Sequence, residues 1–459
     1  MARQLNQMQD WARETRITHT RVLALGIIML GIMAGLLYRY FYLQIIQNET
    51  FRAQSDRNRI AVRAIAPTRG VIVDRSGHLL AENLPSFTLA VTPERVSNLD
   101  DTLATLGDLL DLTEDDLALF AEARKQTPPL GPVPLKYRLT ESERSILAVN
   151  QYRLEGVSIL SELTRHYPEA ALLGHAVGYV GRIGKDDIAQ SEKAQYRGIT
   201  HIGKVGLEAF YEDVLRGELG VSQIETNARG VELRVVDRIE PQPGVKLTLH
   251  LDLELQRVAA KALGDMRGAV VAIDPQSGGV IAAVSNPTYD PNKFVNGISF
   301  DDYAALRESR DAPLLNRVIQ GQYPPASTVK PLLGLAGLNR GVIDIDTLVA
   351  DPGYYTLPGD DRRYRDWILR IRGTGHADFM NLRDSIAQSC DVYFYELANR
   401  LGIDALSNSL ADFGIGSLTG IDLPSEKSGI LPSAQWKREV IGSNWYGGET
   451  LIGGIGQGY

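Results

Sequence analysis

One cysteine, Cys390, is all that 459 residues contain. The chain therefore cannot close a disulfide on itself, and its fold must rest on a hydrophobic core in any redox compartment. An excess of basic charge is also missing, since 48 Lys and Arg against 56 Asp and Glu leave a formal net charge of -8. That balance excludes a nucleic-acid partner as the first reading, because phosphate backbones are held mainly by clustered Lys and Arg. It fits an acidic, solvent-facing body. Repeats with a period of about 20 to 50 residues are absent, which excludes a solenoid or propeller array. With 44% hydrophobic and 23% charged residues, the composition is that of a globular chain long enough for about three domains.

Long apolar runs are lacking except at one place. From Val22 to Tyr38, 17 residues carry no charge, and if Arg39 snorkels the helix can continue to Ile46. The segment YRYFYLQ at its exit is an aromatic belt, where a cleaved signal peptide would end in small residues. The expectation is an uncleaved single-pass membrane anchor over 22–46 behind a cytoplasmic tail, 1–21. Arg3, Arg13, Arg16 and Arg21 precede the span, which keeps the N-terminus cytoplasmic and translocates the remainder. Gly31 and Gly35 leave room for close approach of another helix, although small residues are common in membrane helices generally.

Beyond the anchor, residues 61–94 are rich in β-branched residues and broken by Pro and Gly, which reads as strands and turns. Residues 100–164 read as a helical insert, opened by capping boxes at Thr113 with Asp116 and Thr140 with Glu143. Short mixed elements follow, with Arg229-Gly230 among their turns, up to the Pro241-Gln-Pro-Gly244 break, taken as the main domain boundary. After it, LTLHLDLELQRVAAKAL predicts a strand leading into a helix, and GAVVAIDPQSGGVIAAVSNP a hairpin. Mixed helical and strand patterns then run to the end, an α+β domain with helices packed on an antiparallel sheet.

The chemistry concentrates at Tyr323-Pro-Pro-Ala-Ser-Thr-Val-Lys-Pro. Pro324 and Pro325 interrupt what precedes, and Pro331 suits a first helical turn, so a helix should begin at or near Ser327. Ser327 and Lys330 then share a face, bringing an amine near a hydroxyl that needs a base to become a nucleophile. A lone S-x-x-K is a weak signal. Ser389-Cys390-Asp391 follows about 60 residues later, between two helical patterns. The pair of motifs resembles the serine-lysine acyl transferases of the penicillin-binding and β-lactamase group, with Asp391 where S-x-N has Asn. The resemblance gives Ser389 a part in proton relay to the leaving amine and Asp391 a hydrogen bond that positions Lys330. A carboxylate there favours the ammonium form of the lysine, which leaves open the group that first deprotonates Ser327.

The resemblance extends along the chain. Arg69-Gly-x-x-x-Asp74-Arg75-x-Gly77, Arg165-x-Tyr167-Pro168 and Gly206-Leu207-Glu208 resemble the pedestal motifs of class B penicillin-binding proteins, and Asp391 with Arg365-Asp366-Trp367 resembles their elongation-specific penicillin-binding protein 2 branch. The implied architecture is a membrane helix, a pedestal (dimerisation-type) domain over 47–244 and a transpeptidase domain over 245–459. The implied activity is peptidoglycan D,D-transpeptidation during lateral wall elongation: Ser327 attacks a D-Ala-D-Ala stem peptide, D-Ala leaves and the acyl group passes to a neighbouring amine. No dissociable cofactor is implied. β-Lactams are implied as acylating inhibitors, a SEDS-family, RodA-like glycan polymerase of the elongation machinery as membrane partner, and the periplasmic face of the bacterial inner membrane as location. Hydrolysis by the same serine, as in a D,D-carboxypeptidase, and a catalytically weak penicillin-sensing or scaffold module that regulates a glycan polymerase are the alternatives.

Lys427-Ser428-Gly429 satisfies K-[ST]-G as text but falls between LPSE and ILPS in what reads as a loop. The true third motif is expected beyond residue 459, the chain being read as C-terminally truncated. Gly198-x-x-x-x-Gly203-Lys204 resembles a phosphate-binding loop, but Val205 replaces the required Ser or Thr and SEKAQYR before it is no buried strand. Asp351, Asp366, His376 and Cys390 are candidate ligands of a structural zinc around the second motif, as some penicillin-binding protein 2 relatives hold. Otherwise the two aspartates serve turns and caps, His376 is exposed and Cys390 is a small core residue.

Overall fold

The structure, a computed structural model, describes residues 11–47, 60–127, 131–184, 187, 195–196, 198–226 and 232–459. Arg3, Arg229-Gly230 and most of SEKAQYR lie outside the described residues. The chain divides into two units, one of residues 1–67 with 218–242 and the other of residues 68–217 with 243–459.

The first unit holds the apolar helix Trp11–Phe41, which ends in a wider turn, Tyr42–Ile46. Its stretch Arg16–Ile46 is long and apolar enough to cross a membrane, and none of it is buried against protein. Ile28, Met29 and Leu36 lie exposed along it, an apolar surface of the kind that a bilayer would solvate. The unit also contains an antiparallel three-stranded sheet with Gly220–Thr226 between Ile60–Ile65 and Glu232–Ile239.

In the second unit the long strand Leu79–Val91 is the organising element, pairing antiparallel with Val157–His166, Val133–Lys136 and Ile72–Val73. The region read as a helical insert holds helices Leu99–Leu109, Glu114–Gln126 and Glu141–Asn150, and both expected capping boxes form. Its end is a correction: Val157–His166 is a strand, drawn into the sheet by Leu79–Val91, a partner far earlier in the chain. Leu106, Phe120, Val133 and Leu147 close a small core of its own under these helices.

The boundary near residue 244 does not interrupt the packing. Leu247–Thr248 adds in parallel to Ile72–Val73, and Leu249, Leu251 and Leu253 enter one core with Ile72, Leu80, Tyr167 and Leu215. Asp74, 1% exposed, fastens the joint. One of its oxygens accepts from the amides of Ser76 and His78 at 2.8 Å each, and the other from the amide of Leu253 at 3.2 Å, where helix Leu253–Leu263 begins. Beyond the joint come the expected hairpin, Gly268–Ile273 with Val280–Asn286, and a helical core built on Val329, Leu333, Tyr393, Phe394 and Leu451.

The three pedestal motifs converge inside this unit. Glu208, fully buried, receives Arg165 at 2.6 Å, Arg69 at 2.7 Å and the Tyr167 hydroxyl at 3.2 Å, and Arg69 also reaches Glu212 at 2.7 Å. Burial alone would raise the Glu208 carboxyl, but the two guanidinium groups overcome it and hold the group below its usual value.

Candidate active site

Pro324 and Pro325 end the preceding segment, and the chain turns through a single 3-10 turn, Ala326–Val329, before helix Lys330–Asn339. Ser327 thus lies in the turn and Lys330 is the first helical residue, three positions later than the helix start read from sequence. The helix runs close to its neighbours: a Cβ at Gly337 would lie 2.7 Å from Leu397 and 2.9 Å from Ile343. That contact fixes the lysine against helix Asp391–Ala411, which carries the second motif.

Lys330 is 1% exposed, and its side-chain nitrogen donates to three acceptors: Asp391 Oδ1 at 2.7 Å, the Ser389 carbonyl at 2.9 Å and Ser389 Oγ at 3.2 Å. Ser389 Oγ lies 3.0 Å from Ser327 Oγ, so the lysine reaches the first serine through the second. Among the described residues no direct Lys330–Ser327 hydrogen bond forms. Burial pushes the Asp391 carboxyl upward and Asp366 adds to this, while Lys330 pulls it back; burial wins.

Two backbone positions at the serines, the residue before Ser327 and Ser389 itself, are strained. Ala326 has φ 51° and Ser389 φ 56°, both in the left-handed region that costs a side-chain-bearing residue about 1 kcal/mol or more. Each is held by its surroundings. The Ala326 amide donates to the Gly456 carbonyl at 2.8 Å, and Gly456 must be glycine because a Cβ there would lie 2.2 Å from the Ala326 oxygen. The Ser389 carbonyl accepts from Lys330 and from Trp367 Nε1, the latter at 3.1 Å. Neither Trp367 nor Gly456 was singled out as a site residue from sequence. Both act through backbone groups distant in the chain, and no local pattern announces such a contact.

The four candidate metal ligands are brought together, with ligand atoms all within 4.8 Å of one another. Asp351 Oδ2 lies 3.1 Å from His376 Nδ1 and 3.6 Å from Cys390 Sγ, and Asp366 Oδ2 lies 3.7 Å from the same ring nitrogen. Tetrahedral zinc with O, N and S donors spaces them about 3.3–3.6 Å apart; these three separations bracket that spacing, and the donor chemistry suits the ion. The aspartates also serve turns and caps, Asp351 accepting from the Gly353 amide at 2.9 Å and Asp366 from the Asp391 amide at 2.6 Å. The alternative of an exposed His376 does not hold: its side chain is 2% exposed, enclosed by these carboxylates and by Trp367 edge-on at 5.7 Å. Burial pushes the Cys390 thiol up, with the Tyr393 amide opposing it and the two neighbouring carboxylates adding to it. A buried neutral thiol facing two buried carboxylates is an arrangement that a divalent cation would relieve.

The two rejected motifs stay rejected. Lys427-Ser428-Gly429 lies in an irregular segment, its Lys427 amide tied to the Ile319 carbonyl. Gly203 and Lys204 belong to strand His201–Val205, and Lys204 is paired with Asp187.

Residues 64–249 match the Penicillin-binding Protein dimerisation domain, and residues 268–457 the Penicillin binding protein transpeptidase domain. Identity to the peptidoglycan D,D-transpeptidase MrdA of Acinetobacter baumannii is 42% over 98% of this chain and 66% of that protein. Identity to MrdA of Escherichia coli K12 is 42% over 99% of this chain and 72% of that protein. A solved Helicobacter pylori complex between Penicillin-Binding Protein (PBP2) and MreC aligns at a TM-score of 0.75 and 32% identity, covering 87% of this chain and 73% of that one. The chain thus spans 66% to 72% of the length of these two curated relatives. The fold, the convergent pedestal motifs and this identity agree with the resemblance read from the motifs, and the chain belongs to the penicillin-binding protein 2 (MrdA) family of peptidoglycan D,D-transpeptidases.

Proposed function

We propose that this chain cross-links peptidoglycan stem peptides through an acyl-enzyme on Ser327, and that Lys330, Ser389 and Asp391 move its protons. The observation that carries the reading is the unbroken polar chain Asp391–Lys330–Ser389–Ser327, with separations of 2.7, 3.2 and 3.0 Å. Lys330 can accept a proton only after giving one up. Asp391, 2.7 Å from its nitrogen, is the group placed to take it, which leaves a neutral amine. Ser327 then passes its proton to Ser389 Oγ, Ser389 passes its own to the amine, and Ser327 Oγ bonds to the carbonyl carbon of the penultimate D-Ala. Collapse of the tetrahedral adduct breaks the peptide bond, and the departing D-Ala nitrogen recovers a proton along the same path. An amine of a neighbouring stem peptide attacks the ester in the reverse sense, forming the cross-link and restoring Ser327. The path needs no dissociable cofactor.

Asp351, Asp366, His376 and Cys390 would hold a zinc ion. Its chemistry there is structural, charge neutralisation and cross-bracing of the segment that carries Ser389 and Asp391. Arg16 and Arg21, in the N-terminal part of this helix and ahead of its uncharged run from Val22, support a cytoplasmic N-terminus and a periplasmic body on the inner membrane. The pedestal is assigned to 47–244 and the transpeptidase domain to 245–459. The solved complex of the Helicobacter pylori relative with MreC supports membership of an elongation assembly, in which a RodA-like SEDS polymerase would supply the glycan strands. The reading is tested by following D-Ala release and amide formation between synthetic stem peptides in detergent. Both proceed with the wild-type protein and stop with Ser327→Ala, whereas release that survives the substitution removes Ser327 from the mechanism.

A further inference from the structure

An otherwise acidic chain places five arginines, Arg362, Arg363, Arg365, Arg370 and Arg372, within eleven consecutive residues, and all five are exposed. Mutual repulsion makes such a cluster costly unless counter-charges meet it. Two of the five are occupied by aromatic faces, Arg362 over Tyr364 at 5.1 Å and Arg363 over Tyr354 at 4.4 Å. Arg365, Arg370 and Arg372 make no ion pair or side-chain hydrogen bond among the described residues.

Their placement is built rather than loose. Arg365 closes the ribbon Tyr354–Thr356 with Arg363–Arg365, opposite Tyr354. Arg370 lies on the short helix Leu369–Arg372, which stops at Gly373 in the left-handed conformation. Between them opens a cavity of about 500 Å³ lined by Arg365, Asp366, Trp367, Leu369, Arg370 and Ile371. Its one acid is withdrawn, because the Asp366 side chain is fully buried and accepts from the amides of Ile368, Asp391 and Val392. The cavity therefore presents two unpaired guanidinium groups beside an indole and two aliphatic side chains, the lining of a site for an anionic peptide. Trp367 connects it to the nucleophile: its Nε1 donates to the Ser389 carbonyl, and Ser389 Oγ lies 3.0 Å from Ser327 Oγ.

We propose that Arg365 and Arg370 form a subsite for a carboxylate on the body of the acidic stem peptide, away from its D-Ala-D-Ala end. The proposal rests on acyl transfer at Ser327 and names what holds the substrate while Ser327 reacts. A peptide is favoured over the phosphates of a lipid-linked precursor because the apolar half of the lining, Trp367, Leu369 and Ile371, suits side chains and offers nothing to a pyrophosphate.

The test is protection of Ser327 from fluorescent penicillin by two synthetic pentapeptides, L-Ala-γ-D-Glu-L-Lys-D-Ala-D-Ala with the glutamyl α-carboxylate free or amidated. Each protein is normalised to its own labelling without peptide. On the wild-type full chain the free acid should half-protect at a concentration about fivefold below the amide, a gap that narrows as salt rises. Arg365→Ala/Arg370→Ala should bring the two peptides level, and Arg365→Lys/Arg370→Lys should restore part of the gap. Equal protection of the wild type by both peptides, a gap that survives the double alanine variant, or inorganic pyrophosphate protecting better than the free acid overturns the subsite. Failure of the wild type to label at Ser327 at all removes the acyl-transfer reading instead, so the two failures are distinguishable.

Discussion

Replacing Lys330 by Met keeps the side-chain volume and removes the only amine in the Ser327–Ser389–Asp391 chain. If the amine is the base, acylation should slow by roughly 10²–10⁴, the range for loss of a positioned general base, or about 3–5 kcal/mol in barrier. Stability should fall too, because Asp391 loses its buried partner at 2.7 Å. Breaking a buried pair costs about 3–5 kcal/mol, and the lower end applies here since the Asp391 side chain keeps 13% of its surface in solvent and burial already favours its neutral form. Adding Asp391→Asn to Lys330→Met removes the orphaned carboxylate and should return about 1–2 kcal/mol without returning acylation. The acylation rate comes from time-resolved fluorescent-penicillin labelling and the stability from thermal unfolding in detergent. Acylation of Lys330→Met within tenfold of the wild type, with Ser327 still the labelled residue, would refute the lysine as base.

The pedestal joint gives a pH dependence. The Asp74 carboxyl is desolvated, which raises it, but hydrogen bonds from His78, Leu253 and Ser76 outweigh this and lower it to about 2 from 3.8. A depressed carboxylate stabilises the fold above its unfolded value and loses that contribution as pH falls, here between about pH 4 and pH 2. At about 1.4 kcal/mol per unit the contribution is roughly 2 kcal/mol, so Asp74→Asn should lower the thermal midpoint at pH 7 and flatten its fall below pH 4; an unchanged acid limb refutes this. Glu208→Gln leaves two buried guanidinium groups short of charge and should cost about 3 kcal/mol in thermal unfolding, and a neutral result would mean the cluster is better solvated than the structure shows. Trp367→Phe deletes the indole donor to the Ser389 carbonyl and should slow penicillin acylation about fivefold, the worth of one hydrogen bond, whereas an unchanged rate would release Trp367 from any positioning role. Metal analysis of the purified chain should find one zinc, lost together with several degrees of thermal midpoint in Cys390→Ser; a metal-free protein with an unaltered midpoint contradicts the proposed site.

How much of this was legible in the sequence depended on whether the signal was local. The capping boxes at Thr113 and Thr140 and the apolar run after Arg21 are complete in a few consecutive residues, and each reads directly into structure. The S-x-x-K spacing told which residues to watch. It did not tell that Ser327 would sit in a 3-10 turn before the helix or that the lysine would reach it through Ser389. Residues 157–164 read as the end of a helical insert because nothing in their own sequence names their partner, and pairing with Leu79–Val91 decides it. The burial of His376 and the Trp367 bond to Ser389 depend in the same way on segments that meet only in the folded chain.

Acylation of Ser327 by penicillin is directly measurable. Full-length protein should be incubated with penicillin, digested and mapped by mass spectrometry, beside Ser327→Ala. A penicilloyl adduct is expected on the peptide carrying Ser327 and none anywhere in the variant; an adduct on another residue, or labelling that persists in Ser327→Ala, removes Ser327 as the nucleophile.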